Sequence, residues 1–208
     1  MVGSDSATDE VEGLKTTYTR FEDVVVALDS SISMRAHDYE PSRFEAAKSA
    51  LMRFVDVRLT TSPMDRVGVV VFYGYALPVT RPMSSRELVV SLVSKLKVLG
   101  EATNLGDALI MAANMFDDTS MEGFTKRILV ITDGTFNQGP DPETAALYAL
   151  SRGIRVDFVT LGKLEGNDLE VIEGCTSETG GIHLNAENTQ KLLTHITNLA
   201  DRRKQSTD

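Results

Sequence analysis

Hydrophobic positions along the chain follow two alternating rhythms. Short, nearly continuous apolar runs occur at Val24–Leu28, Val67–Phe72, Ile128–Ile131 and Ile154–Leu161. The first three are rich in β-branched residues. A strand reads this way when both its faces are covered, as in a parallel sheet flanked by helices. A weaker segment, Tyr75–Pro82, carries Pro78 and Pro82, which cannot donate to a ladder. It predicts an antiparallel edge strand. Gly181–Asn185 reads as a last, weak strand.

Between these runs the period changes to that of a helix. Ser42 and Glu45 have capping-box spacing and precede Phe44, Ala47, Leu51, Phe54 and Leu59 on one face. Ser84 and Glu87 repeat the spacing before Leu88, Leu92 and Leu96. Leu105, Ala108, Leu109, Ala112, Met115 and Phe116 form an apolar stripe. Asp141-Pro142 is an N-cap followed by proline at the first helical position, and Gly153 marks the stop. Asp168–Cys175 reads as a short helix, and Gln190–Arg203 as the last, with Leu193, Ile196 and Ala200 inward. Strands alternating with helices predict an α/β fold: a doubly wound, mostly parallel sheet with helices on both faces and one short antiparallel edge strand. No internal repeat is present.

The 208 residues suit one α/β domain, expected over 21–203. Residues 1–20 read as a flexible acidic N-terminal segment and 204–208 as a flexible tail. Net charge is −9, which disfavours nucleic acid and anionic membranes and repels acidic partners at long range. Any acidic ligand must then be captured by a local positive centre. No apolar run approaches the roughly 20 residues of a membrane span, and the N-terminus lacks signal-peptide character. If the chain is full length, these features predict a cytoplasmic protein without membrane insertion. The single cysteine, Cys175, excludes an internal disulfide and reads as a small buried hydrophobe.

Chemistry concentrates in three loops. The first strand ends in Asp29-Ser30-Ser31-Ile32-Ser33, and the strand through Ile131 runs into Asp133-Gly134. Between them, Glu101-Ala102-Thr103-Asn104 opens the Leu105 helix. Ligands of an open doubly wound sheet bind beyond the carboxyl ends of its strands, where the order reverses. In the commonest order, 3-2-1-4-5-6, Asp29 and Asp133 face one crevice. Two desolvated carboxylates repel, and a divalent cation between them removes the conflict. Asp29, Ser31, Ser33, Thr103 and Asp133 all offer oxygen, which selects Mg²⁺, with Mn²⁺ or Ca²⁺ as alternatives, over zinc or copper. Only two of the five groups are charged, so the ion stays electrophilic toward an incoming Asp or Glu.

In order and type these five residues resemble the metal-ion-dependent adhesion site of von Willebrand factor A and integrin I domains. The resemblance covers about residues 20–200 and extends to Arg43-Phe44-Glu45-Ala46-Ala47-Lys48, Asp65–Phe72 and Ile131–Gly134. Ile32 departs from the glycine that many members carry before the second serine. The resemblance implies that Ser31 and Ser33 ligate directly, and that Thr103 ligates directly when a partner is bound or otherwise through water. Asp29 and Asp133 would hold the ion directly or through water, and Asp29 would also accept backbone N–H bonds. It further implies a binding module that captures an acidic residue of a partner protein, with AAA+ ATPases and signalling complexes among the partner types, and a last helix whose shifts report on the site. Met34, Arg35, His37, Phe136 and Asn137 fall on the expected rim. Glu101 is read as a solvated acid behind Thr103, and His183 and His195 as incidental.

Two other functions are compatible with parts of this pattern. An aspartate-nucleophile phosphatase would need a second aspartate two positions after Asp29, where Ser31 stands. G-x-S-x-G, P-loop and G-x-G-x-x-G motifs are absent, so the chain is expected not to be an enzyme. Phosphorylation of Ser31 or Ser33 would compete with metal, which makes a phosphorylation-regulated signalling protein the alternative.

Overall fold

The computed structural model describes residues 21–116 and 124–201; the two predicted tails lie outside them. Six strands form one sheet: β1 (Phe21–Asp29), β2 (Arg66–Phe72), β3 (Ala76–Met83), β4 (Phe124–Thr132), β5 (Ile154–Leu161) and β6 (His183–Ala186). Their order is β3-β2-β1-β4-β5-β6. All neighbours are parallel except β2 and β3. The proline-bearing strand is the antiparallel edge, as its missing donors require. The order reverses at β1, which therefore lies between β2 and β4 with both of its faces covered.

That position explains the unbroken apolar run. Val24, Val26 and Leu28 enter one core, whereas Val25 and Ala27 enter the other. Helices α1 (Arg43–Thr61), α2 (Arg86–Val93) and α6 (Thr189–Ala200) cover the first face. Helices α3 (Leu105–Asn114), α4 (Pro142–Ser151) and α5 (Asn167–Thr179) supply the second. Among the described residues no helix is long and apolar enough to cross a membrane.

The helix signals hold with adjustments. The Ser42 hydroxyl accepts the Glu45 N–H at 3.2 Å, and Asp141 Oδ2 accepts the Thr144 N–H at 2.9 Å. The Glu45 carboxylate pairs with Lys48 at 2.8 Å, so half of the capping box forms. At α2 the predicted cap shifts by one residue: Ser85 is the N-cap, without a side-chain bond. Val89 and Val93 are buried there and Leu88 is exposed, because valines one position along face the sheet and leave leucine outside. In α6, Leu192 and Leu199 join Ile196 and Ala200 inside, with Leu193 half-buried at the margin. The short helix expected at Asp168–Cys175 extends to Thr179, and left-handed Gly180 ends it. The last strand starts at His183, two residues later than read from the sequence.

The amino ends of β1 and β4 hold a buried ionic network that the apolar pattern did not reveal. Arg58 of α1 pairs with Glu22 at 2.8 Å and Asp65 at 3.2 Å. Arg127 pairs with Glu22 at 3.0 Å and Asp157 at 3.3 Å. Both guanidiniums donate to the Leu199 carbonyl, at 2.7 and 3.2 Å. They lie against the Phe54 ring, 5.6 and 5.7 Å from its centre. The network ties the end of α6 to α1 and the sheet, at the opposite end of β1 from Asp29.

Candidate metal centre

The site begins where β1 runs out. Asp29 is fully buried, and its two oxygens have separate fixed partners. Oδ1 accepts the Ser31 N–H at 2.8 Å, which turns the chain sharply, and Oδ2 accepts the Thr132 hydroxyl at 2.6 Å. The expected backbone bond to Asp29 is therefore present. The turn brings the Ser31 and Ser33 hydroxyls within 2.9 Å of one another. Ile32 opens a short 3-10 turn, Ile32–Arg35, and is exposed.

Asp133 arrives from β4, the neighbour of β1, and its side chain is 1% exposed. Its Oδ1 accepts the Thr135 hydroxyl at 3.1 Å, and its Oδ2 accepts Arg43 Nη1 at 3.3 Å. Gly134 makes the bend possible: its φ is +83°, and a Cβ there would lie 2.2 Å from the Leu164 side chain. Thr132 Oγ1 also accepts the Gly134 N–H at 3.0 Å, so one hydroxyl fixes Asp29 and the start of the Asp133 turn.

Thr103 comes from a third loop, tied to the others by backbone. Ser31 bridges Gly100 in parallel, and the Leu99 N–H donates to the Ser30 carbonyl at 2.8 Å. The Asn104 N–H donates to the Tyr73 carbonyl at 2.7 Å, while its side chain caps α3 by accepting the Asp107 N–H at 3.0 Å. The Thr103 carbonyl accepts the Asn137 N–H, and Asn137 Oδ1 accepts the Thr103 N–H, both at 3.1 Å. Thr103 is buried. All five predicted residues thus lie at the carboxyl end of the sheet, Asp29 as the last residue of β1 and the others on the interlocked segments beyond the strands. The side chains of Asp29, Ser31 and Ser33 and the Asp133 charge meet there, whereas Thr103 is brought in by main-chain contacts.

The electrostatics follow from two carboxylates buried near one another. Burial, and then the Asp133 charge, push the Asp29 carboxyl up to about 6. Among the described residues no three His, Cys, Asp or Glu side chains gather as a metal cluster. A metal here must take hydroxyl oxygens together with the two carboxylates, and that donor set fits a hard cation.

The rim differs in part from the sequence reading. Arg35, His37, Asn137 and Glu101 are exposed and Phe136 is half-buried. Met34 is fully buried in the core: the 3-10 turn points it inward between α1 and the sheet. Sequence reasoning missed Thr132, Thr135, Asp38 and Arg43. A hydroxyl directly before Asp133 and an arginine opening α1 were visible, but neither has a spacing that announces its partner.

A family model described as von Willebrand factor type A domain matches residues 24–135. A UPF0353 protein of Nocardia farcinica is 33% identical over 153 residues, covering 67% of this chain and 44% of that protein. The chain thus spans about half the length of the curated relatives it matches first. The crystal structure titled conserved hypothetical protein BatB, from Bacteroides thetaiotaomicron, superimposes with a TM-score of 0.73 at 27% identity, over 88% of this chain and 99% of that one. Proximal thread matrix protein 1 of the mussel byssus, in a structure titled as having a zinc-occupied MIDAS motif, shares the fold. Its TM-score is 0.72 at 20% identity, over 89% of this chain and 48% of that one.

Proposed function

Because the chain belongs to the von Willebrand factor type A domain family, a family of protein-interaction modules, we propose that it binds a partner protein through a divalent cation and catalyses nothing. Asp29, Ser31, Ser33, Thr103 and Asp133 would hold the ion, with Mg²⁺ as the metal. The partner would offer an Asp or Glu carboxylate to the position the protein leaves open. The observation that carries this reading is the pair of buried carboxylates meeting two adjacent hydroxyls at the carboxyl end of β1 and β4.

When bound, the cation supplies a Lewis-acidic positive centre in a net acidic chain. The protein's own groups do the rest. Thr132 and the Ser31 N–H hold Asp29 in place, and the Thr135 hydroxyl holds Asp133 Oδ1. The ligands therefore meet the ion with little freedom left to lose. Neutral hydroxyls keep protein charge at the ion to the two carboxylates, which preserves its attraction for an external acid.

Partner capture in Mg²⁺ against EDTA, with Asp29→Ala and Asp133→Ala as variants, tests the reading. Capture should require Mg²⁺ and fall at least about tenfold in both variants, the loss expected when a charged contact is removed. Equal capture in EDTA would overturn it. Of the two serines, Ser33 is the half-buried residue and keeps phosphorylation as the second reading; Ser31 is fully buried, which disfavours a kinase there.

A further inference from the structure

The first residue of α1 is a permanent cation aimed at one of the two site carboxylates. Arg43 Nε and Nη2 donate to Asp38 at 2.8 and 2.6 Å, a two-pronged fork. Its remaining nitrogen, Nη1, donates to Asp133 Oδ2 at 3.3 Å. The guanidinium thus stands between a half-exposed carboxylate and a buried one, with side-chain exposures of 48% for Asp38 and 1% for Asp133.

The loop carrying Asp38 is well fixed. The buried Tyr39 hydroxyl donates to the Ala186 carbonyl and accepts the Gly162 N–H at 2.8 Å. The Arg43 N–H donates to the Ala36 carbonyl at 2.9 Å, and His37 Nδ1 bonds the Pro41 carbonyl at 2.6 Å. Gly162 leaves room for the guanidinium, since a Cβ there would lie 3.0 Å from Nη2.

A guanidinium does not lose its charge in a protein. Beside Asp133 it opposes a second cation arriving at the same carboxylate, and it occupies one of the oxygens that cation would use. Asp38 counters both effects. Its fork cancels the charge of Arg43 and draws the guanidinium outward, which fits the bond to Asp133 being the longest that the guanidinium makes.

We propose that Arg43 is an internal competitor for the metal centre, and that Asp38 restrains it and so sets how tightly a divalent cation binds. The proposal rests on the metal-centre reading above. It makes Asp38 and Arg43 positioning residues that act on affinity from outside the ligand set. It also links an exposed rim loop to the occupancy of the centre.

Mn²⁺ titration followed by the electron paramagnetic resonance of the free ion, with Mg²⁺ competition, tests it on the whole chain. Far-UV spectra and urea midpoints in EDTA check that each variant folds. Asp38→Asn frees the arginine charge and should weaken Mn²⁺ binding about tenfold, whereas Arg43→Gln should tighten it about threefold or more. The double variant should match Arg43→Gln, because Asp38 then has nothing to restrain. Weaker binding in both single variants would make the pair a structural brace and overturn the proposal, as would unchanged affinity in both. If the wild-type chain binds no Mn²⁺ saturably, the metal-centre reading itself fails, and that result is visible before any variant is made.

Discussion

Replacing Asp29 with asparagine separates the cost of the site from its use. The amide keeps the shape of the side chain and an oxygen to accept the Ser31 N–H, but it removes the charge. In the folded chain the Asp29 carboxyl titrates at about 6, against an ordinary value of 3.8, chiefly because it is buried and then because Asp133 is near. A gap of about two pH units corresponds to about 3 kcal/mol. The folded pKa is the higher one, so the folded chain holds its proton longer than the unfolded chain does. Below pH 3.8 both states are protonated and the group contributes nothing to the pH dependence. Stability falls as pH rises from about 4 to about 6, and above that the full cost is present.

Urea unfolding in EDTA should therefore find Asp29→Asn about 2–3 kcal/mol more stable than wild type at about pH 7.5, and within about 1 kcal/mol of it at about pH 4. Mg²⁺ should close that gap. Wild type should gain about 2.7 kcal/mol at a hundredfold excess over Kd, and the variant little. The same stability difference at both pH values would refute the claim that the buried charge is strained. A variant stabilised by Mg²⁺ as strongly as wild type would refute the claim that Asp29 serves the metal.

Other perturbations probe the scaffold. Arg58→Leu takes one buried cation from Glu22, which keeps Arg127, and from Asp65, and urea unfolding should show a loss of about 3 kcal/mol. Gly134→Ala forces a Cβ into Leu164 at positive φ; it should cost at least about 1–3 kcal/mol and weaken Mg²⁺ binding in calorimetry, because it displaces Asp133. Asp141→Ala removes the α4 cap and should cost about 1 kcal/mol in thermal melting while Mg²⁺ affinity stays the same. The buried Cys175 thiol is pushed up to about 12, first by burial and then by Glu143 and Asp141. It should resist a thiol-reactive disulfide at about pH 8 in the folded protein and react promptly in urea.

The sequence by itself determined what short-range chemistry dictates. Unbroken β-branched runs between helical patterns read as strands covered on both faces, and Pro78 and Pro82 read as an edge. Together these fixed the parallel sheet, its antiparallel rim and the loops beyond β1 and β4. The order and type of Asp29, Ser31, Ser33, Thr103 and Asp133 named the candidate ligands through their resemblance to a known family motif. Tertiary structure decided what depends on residues distant in the chain. It set the one-residue rotation of α2, since Val89 and Leu88 are equally apolar and only the sheet chooses between them. It turned Met34 inward, built the Arg58–Arg127 network, and placed Thr132 on Asp29 and Arg43 between Asp38 and Asp133. A charge or hydroxyl reads as solvated in a linear sequence; only packing, by removing water from around it, decides which partner it must find.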